Sequence, residues 1–188
     1  FERIASNHIT NTGYKLDRYN FAEYTKPTKH FIFKTGNVRP GRLYTYLFLK
    51  VNGLLEKGHY SFLDSSNNYE LYSDKTFFYS IMRDFTIDRN LYYKEYKKLK
   101  KDLPVLLDIP KEGSESIANT PVFPENLVKD AAIEIVVETH TDMDNKGSLN
   151  LTEKTFYPML YRLPFIVLGS PKLYTYLQQK GYGTFPML

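Results

Sequence analysis

The fold is decided by two apolar runs near the end of the chain, residues 133–139 (IEIVVET) and 164–169 (PFIVLG). The first is rich in β-branched residues, which favour strands. The second is apolar throughout, as is typical of a strand in a parallel sheet covered on both faces. The stretch between them predicts a helix that ends before Pro164, with Asn150 or Thr152 as its N-cap. A strand, a helix and a strand in this order indicate a parallel pair.

Another helix is predicted directly after the second run. Ser170 and Pro171 suit its start, and Gly181 suits its end. Apolar residues at helical spacing mark its inner face, namely Leu173, Tyr176 and Leu177.

The same order of elements occurs near residue 30. Residues 29–34 (KHFIFK) predict a strand, and residues 59–63 (HYSFL) predict a second one. Apolar residues between them recur at helical spacing and predict a helix that ends with Gly58 in the C′ position. The sequence therefore predicts an α/β fold, with a mostly parallel, Rossmann-like sheet flanked by helices.

The predicted domain organisation is an irregular N-terminal segment, 1–29, followed by a single α/β domain, 30–188. An irregular, Tyr-rich insertion is expected at about 64–124. It contains one basic amphipathic helix, 91–101 (LYYKEYKKLKK), with an inner side formed by Tyr92, Tyr96 and Leu99. Both ends of the chain look cut, so we expect a piece of a longer protein.

Composition narrows the classes of function. The net charge of +4 is too small to indicate nucleic acid, and the five lysines of the basic helix favour a solvated face over nucleic-acid contact. The absence of cysteine excludes disulfides, thiol nucleophiles and cysteine zinc sites. No apolar run approaches the roughly 20 residues of a membrane span. The expected location is the host cytoplasm or a virion, not a disulfide-forming secretory pathway.

The aromatic content is high, with 17 Tyr and 13 Phe but no Trp. Tyrosine combines apolar area with a hydroxyl group that requires a partner. This composition fits either a binding surface or an AT-biased viral genome.

The first candidate site is the helix start at Thr152-Glu153-Lys154, which follows a polar loop. In open parallel sheets, ligands bind beyond the carboxyl ends of the strands, and helix N-termini attract anions. Lys154 would add a charge for phosphate, and Glu153 would accept hydroxyls of a ribose or sugar. Glu138, at the end of the preceding strand, points to the same rim. The alternative is an ordinary helix N-terminus with a favourable acid and a surface lysine.

Two further strand-to-helix loops are candidates. Gly169 permits close approach of a ligand and Ser170 follows it, although helix capping alone explains both residues. Arg39 and Arg42 follow the first strand, where guanidinium groups suit a diphosphate or a carboxylate; an exposed basic loop is the alternative. The loop has neither the Walker pattern nor the dinucleotide-binding glycine pattern. No catalytic residue is assigned.

A metal site is not predicted. Residues 142–153 resemble a calcium loop in the spacing of Asp142, Asp144, Gly147 and Glu153. However, Lys146 replaces a ligand, and a strand rather than a helix precedes the loop. The four histidines lack metal-ligand spacing, and a Gly-x-Ser-x-Gly hydrolase motif is absent.

Three segments form a recognisable block, 151–158 (LTEKTFYP), 163–171 (LPFIVLGSP) and 181–185 (GYGTF). With the upstream segment 39–43 (RPGRL), this block resembles a family of poorly characterised proteins encoded by bacteriophages and large viruses. More distantly, it is similar to the donor-binding half of fucosyltransferase-like and other two-domain (GT-B type) glycosyltransferases.

The resemblance implies a function and roles for particular residues. Glu153 and Lys154 would contact the donor ribose and diphosphate, and Arg42 would be a second diphosphate ligand. The chain is then expected to be a phage- or virus-encoded glycosyltransferase-like domain that binds a nucleoside-diphosphate sugar and a glycan acceptor. The donor is a substrate, so no resident cofactor is expected. The full two-domain body does not fit in 188 residues. The alternative is a non-catalytic virion or host-interaction protein that keeps the fold and contacts virion proteins.

Overall fold

The computed structural model describes residues 26–36, 38–63, 75–83, 85–105, 125–138, 149, 151–170 and 172–182. Within them, one four-stranded sheet contains β1 (Lys29–Thr35), β2 (Gly58–Phe62), β3 (Ala131–Val137) and β4 (Phe165–Leu168). The strand order is β2-β1-β3-β4, and each neighbouring pair is parallel. The predicted α/β fold with a parallel, Rossmann-like sheet is therefore confirmed.

Helices connect and flank these strands. The described residues form α1 (Pro40–Val51), α2 (Lys75–Ile81), α3 (Arg89–Asp102), α4 (Glu125–Lys129), α5 (Glu153–Leu160) and α6 (Lys172–Gln179), with a 3-10 turn at Leu55–Lys57. Both α2 and α3 lie within the predicted Tyr-rich insertion. They are held together by aromatic packing, since Phe78 of α2 stacks on Tyr96 of α3 with ring centroids 5.3 Å apart. The described part of the insertion is thus largely helical.

One face of the sheet is covered by α1, α2 and α3. Alternate residues of a strand point to one face, and here Phe31 and Phe33 of β1 lie beside Val137 of β3 in a buried cluster. Leu43 and Leu47 of α1 pack on this cluster and are fully buried. The inner side of α3 consists of Tyr92, Tyr96 and Leu99, as the sequence predicts.

The opposite face is covered by α4, α5 and α6. Ile32 of β1 packs against Leu127 and Val128 of α4. Val136 and Val167 pack against α6 through Leu173 and Leu177, two of the predicted inner residues. Buried apolar clusters on both faces make the sheet a central layer between two layers of helices.

The glycine that ends α1 differs from the predicted one. The helix stops at Val51, and Gly53 occupies the C′ position with a φ of +65°. The N–H of Leu54 bonds to the carbonyl of Leu49, which completes a Schellman motif. Gly58 instead begins β2 in an extended conformation, so its predicted C′ role is wrong.

The strand β4 lies at an edge of the sheet, which limits how far it is covered. Ile166 is 37% exposed, so the expectation that both faces of this strand are covered is wrong on one face. The backbone N–H and carbonyl of Val167, which lie on the outer side of β4, nevertheless have a hydrogen-bond partner. The N–H of Val167 donates a hydrogen bond to the hydroxyl oxygen of Tyr174 at 2.9 Å. The same hydroxyl group donates to the carbonyl oxygen of Val167 at 3.4 Å.

Among the described helices, none is both long and apolar enough to cross a membrane.

Candidate functional site

The strand order creates a topological switch point between β1 and β3. From β1 the chain passes through α1 on one face of the sheet to β2, and from β3 it passes through α5 on the other face to β4. The two connections therefore diverge in opposite directions from adjacent central strands. Such a divergence opens a crevice at the carboxyl ends of the strands, which is where open α/β sheets bind ligands. This end of the sheet is called the carboxyl edge below.

The connection after β1 brings basic and polar groups to the switch point. Thr35 is the last residue of β1 and is 4% exposed, and among the described residues its hydroxyl oxygen has no hydrogen-bond partner. Arg39 is exposed in the N-cap position of α1, where no side chain caps the helix and the first turn has no acidic residue. Arg42 belongs to that first turn and is 4% exposed. The N-terminus of α1 thus carries two cations and no protein anion in its first turn.

The connection after β3 begins with a buried carboxylate. Glu138 is 1% exposed. It accepts hydrogen bonds from the Thr152 backbone N–H at 3.1 Å and from the hydroxyls of Thr152 and Thr155. Glu138 therefore lies at the predicted rim and fastens the start of α5 to the end of β3. Its role as a direct ligand contact stays a prediction.

The start of α5 follows the predicted pattern. Thr152 is the N-cap, and its hydroxyl oxygen accepts from the Lys154 backbone N–H at 3.3 Å. Glu153 is the first residue of the helix. The Lys154 side chain is partly exposed. Because Glu138 fixes Thr152, the first turn of α5 is held at the carboxyl edge with its positive dipole end beside the switch point.

Gly169 and Ser170 follow β4, the neighbour of β3. The backbone N–H of Glu138 donates to the Leu168 carbonyl at 3.0 Å, which keeps the two strand ends together. A Cβ at Gly169 would lie 3.4 Å from Cγ of Glu138, an ordinary contact distance. α6 begins two residues after Ser170, at Lys172. The structure thus brings Gly169 next to Glu138, one strand away from the switch point.

An ion pair that was not predicted from the sequence joins the two central strands. Nζ of Lys34 on β1 lies 2.9 Å from Oε1 of Glu134 on β3. Burial lowers the pKa of Lys34 to about 8 and raises the pKa of Glu134, while the charge of each partner opposes these shifts. Oε2 of Glu134 is buried without a hydrogen-bond partner among the described residues. The signal in the sequence is a charged residue next to or within the apolar part of each central strand, namely Lys34 after FIF (31–33) and Glu134 within IEIVV (133–137).

A second polar cluster lies at the opposite, amino-terminal ends of the strands. Asp130, just before β3, accepts from the backbone N–H and hydroxyl of Thr28, each at 2.9 Å. Nε2 of His59 on β2 lies 2.9 Å from the same carboxylate. The hydrogen bond from the Thr28 hydroxyl is the main cause that lowers the pKa of Asp130. This cluster ties three strands together at the end of the sheet where ligands do not bind in this architecture.

All seven predicted ligand residues lie in connections at the carboxyl edge. Two follow β1, three follow β3 and two follow β4: Arg39, Arg42, Glu138, Glu153, Lys154, Gly169 and Ser170. In the described part of the chain, no group of three His, Asp or Glu residues could hold a metal ion. Residues 141–148, which include most of the calcium-like loop, lie outside the described residues.

These features define an α/β domain with a parallel, Rossmann-like sheet and a candidate anion site at its β1/β3 switch point. Comparison of the chain with models of known protein families, with curated proteins and with solved structures gave no significant match.

Proposed function

We propose that this chain is a glycosyltransferase-like domain that binds a nucleoside-diphosphate sugar across the β1/β3 switch point. One observation carries the proposal: two helix N-termini, those of α1 and α5, begin beside adjacent central strands at the carboxyl edge. Each has basic residues in its first turn or at its cap, Arg39 and Arg42 for α1 and Lys154 for α5. Helix N-termini and basic side chains together favour a phosphate-bearing ligand.

The proposal assigns a role to each group at the edge. Lys154 and Arg39 contact the diphosphate, since their side chains reach solvent. Arg42 adds positive charge from the first turn of α1. Thr35 provides a hydroxyl at the end of β1 that a ligand oxygen would satisfy, because a buried hydroxyl without a partner costs free energy. Glu153 accepts hydroxyls of the ribose or sugar.

The chemistry follows from the charge of the donor. When the glycosyl bond breaks, negative charge grows on the leaving diphosphate, and fixed cations stabilise that charge more than they stabilise the bound donor. A glycan acceptor, the second substrate, would approach over the same edge. Expression from a phage or viral genome, and a place in the host cytoplasm or the virion, belong to the same proposal.

The test is a thermal-shift and calorimetry series with UDP, GDP and their sugars. At a ligand concentration about 100 times Kd, binding stabilises the folded state by about 2.7 kcal/mol, which gives a clear rise in Tm. Lys154→Gln and Arg39→Gln should each weaken binding about 10-fold or more, because a hydrogen bond to a charged group contributes about 1.5–3 kcal/mol. The matched control is Lys172→Gln, an exposed lysine that begins α6 at the same edge.

A flat series with every nucleotide would overturn the proposal. Co-purification of such a non-binding chain with virions would then favour the non-catalytic virion or host-interaction role.

A further inference from the structure

The net positive charge of the chain is concentrated on α3. This helix has six basic residues and two acidic ones in the sequence RNLYYKEYKKLKKD. Its surplus equals the net charge of the whole chain, +4, so the rest of the chain has equal numbers of basic and acidic residues. A helix whose outer side only contacts water does not need this excess of positive charge. Like charges three or four residues apart destabilise a helix.

The lysines of α3 form a stripe on the side that faces solvent. Tyr92, Tyr96 and Leu99 hold the inner side against the sheet layer. Lys94, Lys98 and Lys101 are spaced by three or four residues and are all exposed, so they follow one another along the outer side. Nζ of Lys98 also lies 2.7 Å from Oε1 of Glu95 in an exposed ion pair, which contributes little in water and leaves the stripe with a net positive charge. The three residues are called the basic stripe below. Helix geometry makes the 14-residue α3 about 21 Å long.

Two exposed apolar side chains lie on α3 or close to it. Leu91, one turn before Lys94, is 41% exposed, and Phe48 of α1 is 40% exposed. Phe48 is joined to α3 through Tyr44, whose ring lies 6.1 Å from that of Phe48 and 6.3 Å from that of Tyr92. These are two of the four large hydrophobic residues that are exposed in the described part of the chain. The surface therefore combines cations with solvent-facing apolar groups.

The aromatic rings of α3 are not arranged to stack nucleic-acid bases. Base stacking needs an open ring face. The rings of Tyr92 and Tyr96 are buried, and Nζ of Lys97 lies over the ring of Tyr93, 4.9 Å from its centroid. Exposed lysines and Leu91 on α3, together with the exposed Phe48 of the neighbouring α1, fit a flat, anionic and partly apolar partner better than a strand of nucleic acid.

The end of α3 leads to the carboxyl edge of the sheet. Three residues after the helix, Val105 pairs with Phe62, the last residue of β2, through two backbone hydrogen bonds of 3.0 Å. The basic stripe therefore runs toward the same end of the sheet as the candidate anion site.

We propose that the outer side of α3, together with Leu91 and Phe48, docks this protein on an anionic lipid surface. Lysines close to an anionic bilayer are attracted by its negative surface potential. Leu91 and Phe48 enter the region between the headgroups and the acyl chains, where apolar side chains are stabilised. The helix lies on the membrane and does not cross it. This proposal does not depend on the identity of the ligand at the switch point.

The test is co-sedimentation of the whole chain with vesicles of phosphatidylcholine alone and of phosphatidylcholine mixed with phosphatidylserine. Binding is expected only with phosphatidylserine. It should weaken strongly between about 0.1 M and about 1 M NaCl, because the screening length falls from about 10 Å to about 3 Å. The triple variant Lys94→Gln, Lys98→Gln, Lys101→Gln should bind on the order of 100-fold more weakly.

A matched triple variant has the same net charge. It carries Lys57→Gln, Lys129→Gln and Lys172→Gln, three exposed lysines outside α3, and should keep its affinity to within about threefold because these charges are screened at a distance. The double variant Leu91→Gln, Phe48→Gln should weaken binding without changing its salt dependence. Absence of binding to phosphatidylserine vesicles, equal losses in the two triple variants, or tighter binding to duplex DNA or RNA at the same salt would each overturn the proposal.

Discussion

Glu138 at the end of β3 accepts the hydroxyl hydrogen bond of Thr155 in the first turn of α5. With the two bonds from Thr152, this contact joins a strand end to a helix start across the connection between them. The position of the α5 N-terminus at the switch point therefore depends on one buried carboxylate. Stability measurements on variants of Glu138 and Thr155 therefore test how the site is assembled, and they require no known ligand.

Replacing Glu138 by Ala should destabilise the protein by about 2–4 kcal/mol, because hydrogen bonds to a charged group contribute about 1.5–3 kcal/mol and the threonine hydroxyls would lose their acceptor. Thr155→Val should cost about 1–2 kcal/mol for the same reason. The control is Thr155→Ser, which keeps the hydroxyl. Chemical denaturation measures all three, and equal stability of the Val and Ser variants would contradict this account.

Gly58 is expected to resist substitution because of Phe31. The ring of Phe31 on β1 fills the space that a Cβ at Gly58 on β2 would need, and Phe31 is buried. Gly58→Ala should therefore cost about 1–3 kcal/mol, since overpacking forces buried groups to move. At Gly36, a Cβ would meet nothing within 4 Å. Gly36→Ala is thus the matched control and should change the denaturation midpoint little.

The ion pair of Lys34 and Glu134 should behave as a unit. Lys34→Met alone should destabilise by about 3 kcal/mol, because it leaves a buried carboxylate without its cation. Replacing both residues by Met should leave stability within about 1 kcal/mol of the parent protein or increase it, since the desolvation of both charges is avoided. A double-mutant cycle by denaturation checks this, and additive losses would contradict it.

The same lysine should produce a pH dependence in the alkaline range. The pKa of Lys34 is about 8 in the folded chain, compared with its ordinary value of 10.5. Between these values the unfolded chain binds more protons at this site, so the free energy of unfolding rises as the pH increases from about 8 to about 10.5. The relevant quantity is the difference between the parent and Lys34→Met, because this difference isolates the contribution of Lys34. A difference that is constant over this range would contradict the prediction.

Asp130 should make the free energy of unfolding depend on pH in the acidic range. Here the folded state stabilises the charged form of the side chain, whereas at Lys34 burial disfavours it. Hydrogen bonds from Thr28 lower the pKa of Asp130 below the ordinary value of 3.8. Its contribution to stability is therefore complete above that ordinary value and is lost as the pH falls through the pKa of the folded state. An NMR titration of the carboxyl group should show the pKa rising toward normal in Thr28→Val. Thr28→Ser, which keeps the hydroxyl, should leave it close to that of the parent protein.

Much of the fold could be predicted because its local signals agree with the final packing. The β-branched run at 133–139 became β3, and the apolar stretch at 164–169 became β4. Gly181 ends α6 in a left-handed conformation, as expected of a C′ glycine. Each of these signals acts within a few residues, so no knowledge of distant contacts was needed.

Features that depend on distant contacts could not be predicted. Gly58 looks like a helix terminator in the sequence, and only the neighbouring strand shows that it makes room for Phe31. Ile166 looks fully buried until β4 is found at the edge of the sheet.

The candidate site also has some features that could be predicted from local sequence and others that could not. Loops that follow strands pointed to the carboxyl edge, which is a local inference. By contrast, the pairing of Lys34 with Glu134, and the use of the Glu138 carboxylate by Thr152 and Thr155, require the order of the strands and the position of α5.

The hydroxyl of Tyr174 has a consequence for behaviour at high concentration. An unprotected outer strand can recruit the backbone of another molecule and start the growth of fibrils. Here the phenol oxygen already occupies the N–H and approaches the carbonyl of Val167, so an incoming chain would have to displace it before any intermolecular ladder could begin. The Tyr174 side chain of α6 thus protects the outer side of β4 against pairing with a second molecule.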